Sequence, residues 1–269
     1  MKKLFLFLLC TPLFAVTVRT YSLTGLSFID AVPVPVHAKG LKFQPVAKGR
    51  KSLKEVRLPV PKTLDYSSQI YPAGDQGQFG TCYAWATAEA LSNQLRIKGK
   101  DAGFLSPQFF MDASGDGNQG GWLDVAQFAT SPKGAPLLST YPYTGKNEKL
   151  RSVTIAGQSY GWNYVGDDTN PPTIGDLQSA LFQYGPLAIV MDASNPDFQY
   201  YSSGVFNECP VKGNAATPDH AVLLLGWDDA GNWIALNSWG LEWGMKGVFK
   251  MPFGCGIAQE AAFFLPKHR

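Results

Sequence analysis

Apolar positions change rhythm several times along this chain. A nearly continuous apolar run from Leu4 to Val18 is followed, from Tyr21 to Pro61, by Pro-x-Pro steps and scattered Lys and Arg without sustained helical period, which predicts an extended or weakly ordered leader. Tyr83 to Lys98 then carries Ala84, Ala88, Leu91 and Leu95 at three- and four-residue steps and stops at Gly99, the pattern of a helix. Ser106 to Asp112 opens on Ser-Pro, a cap followed by proline in the first turn, and predicts a second helix. Further helical stretches are expected from about Trp122 to Thr130 and from Asp176 to Tyr184, the latter closed by Gly185-Pro186. Beyond them the texture changes. Leu187–Met191, Ala221–Trp227, Asn232–Asn237 and Gly247–Met251 are apolar or aromatic runs bounded by Gly, Asp and Asn, which predicts antiparallel strands. Helices first and strands second give an α+β protein with two unlike lobes.

Composition narrows the classes. The chain has 269 residues, 45% hydrophobic and 16% charged, which excludes a disordered chain. Its net charge of +2 is unevenly spread: +2 over residues 1–37, +7 over 38–62 and −7 from Thr63 onward. An acidic body argues against nucleic acid as a partner. No segment reaches the roughly 18 apolar residues of a membrane span. Lys2-Lys3 ahead of the apolar run has the charged and hydrophobic regions of a secretory signal, so residues 1–17 are expected to be removed and the product to be secreted or periplasmic. Residues 18–57 then form a short basic leader and 58–269 the working domain. Cys10 leaves with the signal. Cys82, Cys209 and Cys255 remain, and an odd count in an oxidising compartment suggests one disulfide and one free thiol.

The chemistry concentrates at Gln76-Gly77-Gln78-Phe79-Gly80-Thr81-Cys82-Tyr83-Ala84-Trp85. A cysteine in the first turn of a helix feels the partial positive charge of unpaired amides, which favours its thiolate. A nucleophilic cysteine needs a base, and the base needs an orienting group. Of three histidines, His37 lies in the leader and His268 is the penultimate residue, leaving His220 before a strand-like run. Asn237, in Asn-Ser-Trp-Gly, offers an amide to accept from the imidazole, with Trp239 to shield that bond from water. No cofactor is implied. Close Cys/His spacing of a zinc site is lacking, so no metal is assigned either.

These motifs resemble the papain-like cysteine peptidases of the papain/cathepsin group. The resemblance runs from about Leu58 to Pro266. It is carried by Leu105-Ser106-Pro107-Gln108, Asn118-Gln119-Gly120-Gly121, Tyr141-Pro142-Tyr143, Asp219-His220-Ala221-Val222, Asn237-Ser238-Trp239-Gly240 with Trp243-Gly244, and Gly254-Cys255-Gly256-Ile257, in the family's order. His220 follows Cys82 by 138 residues, within the family's interval of roughly 130–150, and Asn237 follows it by 155, just beyond. The resemblance implies a two-lobe fold, a helical N-terminal lobe and an antiparallel β-barrel-like C-terminal lobe with the cleft between. It implies a cysteine endopeptidase in which Cys82 attacks the peptide carbonyl, His220 pairs with it, Asn237 orients the imidazole and Gln76 meets the oxyanion. Gly120, Gly121, Asp219, Trp239, Trp243 and Glu260 fall at substrate-cleft positions, Glu260 at the base of the second subsite.

Departures from the family pattern fall in the helical lobe and in the leader. Phe79 and Asn118 stand where a family disulfide would be, and a second helical-lobe bridge has no cysteines at all. The resemblance places the remaining bridge at Cys209–Cys255. The implied partners are peptide or protein substrates, with the enzyme a monomer not held by a membrane once the signal is gone. Two other readings share this sequence: a silent papain-like binding protein, and a transpeptidase or ligase using the same acyl-enzyme. The leader lacks the helical pattern of the family's inhibitory propeptide. Its +7 segment, 38–57 with the following Lys62, either lies on the acidic body as an intramolecular inhibitor that keeps the precursor latent, or is a solvated spacer.

Overall fold

The computed structural model describes residues 19–23, 26–30, 59–166, 171–208, 218–255 and 257–265. The chain divides into two units, Met1–His37 and Ala38–Arg269. In the first, β1 (Arg19–Leu23) and β2 (Leu26–Asp30) pair antiparallel, Tyr21 opposite Phe28 and Thr20 opposite Ile29. The backbone from Tyr21 is extended, as expected, and over these residues it is paired as a strand. The expected signal 1–17, the basic segment 38–57 and Cys209 lie outside the described residues.

The second unit contains β3 (Leu64–Asp65), α1 (Cys82–Ile97), α2 (Pro107–Ser114), a 3-10 turn at Leu123–Ala129, β4 (Gly161–Val165), α3 (Ile174–Tyr184), β5 (Leu187–Met191), a 3-10 turn at Pro196–Tyr200, β6 (His220–Trp227), β7 (Asn232–Leu236), β8 (Val248–Pro252) and β9 (Ile257–Leu265). The sheet is antiparallel in the order β4-β9-β5-β6-β7-β8, with β3 added on β6. Local chemistry sets the helix ends. Ser106 caps α2 by accepting from Phe109 N, and Thr173 with Asp176 forms a capping box on α3. Gly99, at a φ of 69°, turns the chain after α1.

Strands β5 to β7 read as continuous apolar runs because both of their faces are covered. Ala188, Val190, Ala221, Leu223, Leu225, Ile234 and Leu236 join one core with α1 and α2, while Ile189, Val222, Leu224, Trp227, Trp233 and Ala235 join a second core with α3 and an aromatic cluster. Adjacent residues thus alternate between two cores, as the two-residue strand period requires. α1 is buried from Cys82 to Gln94. Its alanines at 84, 86, 88 and 90 keep it thin enough to lie deep against the sheet. Thr87 and Ser92 satisfy their hydroxyls within the helix, on Tyr83 O at 2.8 Å and Ala88 O at 2.6 Å.

Candidate active site

Cys82 is the first residue of α1, is fully buried and is not disulfide-bonded. Thr81 precedes the helix without a side-chain cap. Its hydroxyl meets Tyr143 OH at 2.6 Å, and Tyr143 OH donates to Gln76 O at 2.9 Å. Tyr143 has one hydroxyl hydrogen, so Thr81 must be the donor to Tyr143. The residue before the thiol is thereby tied to the backbone of Gln76.

Gln76 is buried and held at both ends of its amide. Oε1 accepts from Ser238 Oγ at 2.7 Å and Nε2 donates to Phe79 O at 2.8 Å. Its backbone N–H donates to Ser238 O at 2.9 Å, and Gly240 N donates to Gly74 O at 2.9 Å. These bonds stitch residues 74–76 to 238–240, with Asp75 bridged to Trp239 between them.

His220 opens β6 and Asn237 follows β7, which brings residues 17 apart into contact. His220 Nε2 and Asn237 Oδ1 are 2.8 Å apart, and Ser238 N donates to the same Oδ1 at 2.9 Å. An N–H donating to it identifies that atom as the amide oxygen, an acceptor only. His220 Nε2 must then carry a hydrogen. In the neutral ring the lone pair is therefore on Nδ1, the nitrogen away from Asn237. The Trp239 ring lies tilted over the imidazole, centroids 4.8 Å apart, and both side chains are buried. A low-dielectric lid strengthens the His220–Asn237 bond it covers.

The expected cleft residues fall into different settings. Gly121 lies against Tyr83, where a Cβ would stand 2.6 Å from the ring, Gly120 before it has a φ of 119°, and Tyr83 OH donates to Gly117 O at 2.8 Å. Asp219 Oδ1 accepts from Ala193 N at 2.7 Å, so its carboxylate braces the turn after β5. Trp243 is buried in the aromatic cluster, its N–H donating to Phe198 O at 3.2 Å and its ring edge-on to Trp239. It supports Trp239 from behind. Glu260 is part-buried on β9, in the irregular stretch where the β5 register shifts between Ile189 and Met191. Cys255 is buried and disulfide-bonded. Ser238, Tyr143 and Thr81 were quoted within motifs in the sequence, but only the fold reveals that they hold Gln76.

Phe79 and Asn118 converge on Gly145. The Phe79 ring lies where a Cβ on Gly145 would stand 2.0 Å from it, and Asn118 Nδ2 donates to Gly145 O at 2.8 Å. Gly80 N donates to Asn118 O at 2.8 Å. Packing and hydrogen bonding thus join the two segments that a disulfide would join.

Residues 60–265 match the family described as Papain family cysteine protease. The chain belongs to this family. It is similar to Procathepsin L of Rattus norvegicus, 33% identical over 249 residues that cover 83% of this chain and 71% of the relative. Among solved papain-family structures it is similar to digestive procathepsin L 3 from Tenebrio molitor larval midgut, with a TM-score of 0.71 at 27% identity over 84% of this chain and 76% of that one. It is also similar to the bromelain protease of Ananas comosus in complex with the E64 inhibitor, with a TM-score of 0.68 at 29% identity over 77% of this chain and all 100% of the other. The papain-family fold accounts for the helices before Ala129 and the antiparallel sheet that follows.

Proposed function

We propose that this papain-family protease is a secreted cysteine endopeptidase, made as a latent precursor, that works through a Cys82 thiolate and His220 imidazolium. The observation that carries the reading is the shared acceptor Asn237 Oδ1, which leaves Nδ1 of His220 to exchange the proton. In the resting pair Cys82 Sγ is the anion and His220 carries hydrogens on both nitrogens. The thiolate attacks the peptide carbonyl carbon, forming C–S, and the carbonyl oxygen takes the charge. Gln76 Nε2–H and the Cys82 backbone N–H meet that oxyanion. One such donor is worth about 10²–10³ in rate. His220 Nδ1–H then protonates the leaving amine as the C–N bond breaks. Water, losing a proton to Nδ1, attacks the acyl-enzyme carbon, and the C–S bond breaks to restore the thiolate.

Gly120-Gly121 would pair with an extended substrate backbone. Glu260 would stand at the second subsite and admit Arg there as well as bulky apolar residues. The Cys255 bridge would run to Cys209. The basic segment 38–57 would lie on the acidic domain until cut, and residues 1–17 would direct export.

An epoxide thiol inhibitor should label the full-length chain, once processed, in proportion to its lost activity, and Cys82→Ala should abolish both labelling and peptide hydrolysis. A wild-type chain that takes up no inhibitor and cuts no peptide would overturn the reading in favour of a silent binding protein. Chains beginning at Tyr21 and at Leu58 test latency, equal activity rejecting it.

A further inference from the structure

α1 carries Trp85, Glu89 and Asn93 at four-residue steps, and all three are engaged with one stretch of chain, Tyr71 to Gly74. Asn93 Oδ1 accepts from Tyr71 N at 2.8 Å. The Trp85 ring lies against Gly74, where an added Cβ would stand 1.9 Å away. Between them the Glu89 carboxyl, 1% exposed, faces the Gly74 N–H, with neither oxygen completing a hydrogen bond of normal geometry. Beyond Gly74 this stretch becomes the site: Gly74 O accepts from Gly240 N, and Gln76 N donates to Ser238 O. An isolated buried acid costs folding energy. Here it sits two turns behind the nucleophile, on the segment that carries the oxyanion donor.

We propose that Glu89 is a positioning residue: its buried carboxyl group fixes Gly74, and through Gly74 the placement of the Gln76 amide relative to Cys82. The proposal rests on the roles given above to Cys82 and Gln76. Asn93 holds the Tyr71 end of the segment, and Trp85 and Glu89 together hold the Gly74 end, where it joins residues 238–240.

Burial, opposed by the Gly74 N–H, raises the Glu89 pKa to about 8, so the group stays protonated through acid and neutral conditions. The facing segment brings Tyr71, whose hydroxyl is bonded to Asp101, and Asp75, whose Oδ1 accepts from Gly77 N. Cys82 lies on the same helix. Of the elements packed on α1, β5 carries no ionisable side chain, β6 carries His220, β9 Glu260, α2 Asp112 and the following 3-10 turn Asp124. Asp112 is turned to Tyr141 and Gln108.

The test is a cycle of Glu89→Ala, Gln76→Ala and the double variant in the processed full-length chain, with Glu89→Gln as the conservative replacement. Glu89→Ala should lower kcat about tenfold with KM within about twofold, because the lost placement acts on the oxyanion donor. Glu89→Gln should restore most of that loss near pH 5. In the Gln76→Ala background Glu89→Ala should add no further loss. Alkylation of Cys82 by iodoacetamide, which forms no oxyanion, should keep the wild-type rate. Wild-type kcat should fall as pH passes about 8, and in Glu89→Gln, where only loss of the His220 proton remains, the alkaline fall should be displaced. Multiplying losses in the cycle, slowed alkylation, or an identical alkaline limb in Glu89→Gln would each overturn the proposal. If Glu89→Ala does not fold, the pH profile of Glu89→Gln decides alone. Failure of the wild-type chain to react with an epoxide inhibitor would instead overturn the Cys82 assignment, a distinguishable result.

Discussion

The buried acid on α1 sets a pH dependence of stability that can be worked out from its burial. Glu89 has a pKa raised from 4.5 to about 8, desolvation outweighing the Gly74 N–H. Between those values the folded chain holds a proton that the unfolded chain has released. Stability is therefore full below 4.5 and is lost as pH rises through 8, with a limiting slope of about 1.4 kcal/mol per pH unit. Over the whole interval the group's contribution falls by roughly 3–6 kcal/mol, a large part of the 5–15 kcal/mol that holds a typical domain. Glu89→Gln keeps the shape and removes the proton. Denaturant unfolding of the two chains, both carrying Cys82→Ala to prevent self-digestion, should be measured from pH 4 to pH 8. The difference between them isolates this group from every other titration. Glu89→Gln should gain on the wild type steadily above about pH 5 and be ahead by several kcal/mol near pH 8. A difference that stays constant across the range would refute the reasoning, since it would mean that folding does not hold the proton.

Gly145→Ala sets a Cβ 2.0 Å from the Phe79 ring at a residue with a φ of 67°, and should cost about 2–4 kcal/mol, seen as a lowered Tm. An unchanged Tm would show that the Phe79 and Asn118 contacts on Gly145 do not hold the lobe. Ser238→Ala removes the 2.7 Å bond to Gln76 Oε1 and should lower kcat about fivefold, the worth of one hydrogen bond, with no added effect in Gln76→Ala. Independent losses would place Ser238 outside the oxyanion site. Glu260→Ala should shift the preference at the second position before the scissile bond from Arg toward Phe by about 10- to 100-fold in kcat/KM, measured with paired peptide substrates. An unchanged ratio would remove Glu260 from that subsite.

What the sequence revealed followed from how local each signal was. α1, α2 and α3 were legible because caps, periods and stops sit inside or beside the segments themselves: Ser106-Pro107, Gly185-Pro186, Gly99. The apolar runs of β5, β6 and β7 were legible because burial on both faces leaves no polar position. β9 was not foreseen. Its Ile-Ala-Gln-Glu-Ala-Ala start has low strand propensity and becomes a strand only because β4 and β5 lie on either side of it. β4, a Gly-Trp-Asn-Tyr-Val edge, depends on β9 in the same way. The site divides likewise. Cys82, His220 and Asn237 stand out in the sequence as the residue types the proposed chemistry requires. Hydroxyls that act through tertiary bonds, Ser238 on Gln76 and Thr81 through Tyr143, have no local mark.

The replacement of a helical-lobe bridge by Phe79 and Asn118 on Gly145 bears on how the protein meets reductants. Between residues 59 and 166 the only cysteine is Cys82, so that lobe contains no disulfide to lose. Its two segments are joined by an apolar ring and a 2.8 Å hydrogen bond. The bonded cysteine, Cys255, lies in the second core between β8 and β9. A reductant strong enough to keep Cys82 as a thiol therefore acts on stability through the sheet alone. Loss of that one bridge should cost about 2–4 kcal/mol. Amide exchange should then quicken around β8 and β9 while α1 and the Gly145 loop keep their protection, so the helix that carries Cys82 and the segment that carries Gln76 stay in place under the conditions that keep the thiol reduced. Loosening of α1 on reduction, with the sheet unaffected, would show that the packing on Gly145 does not substitute for a covalent link.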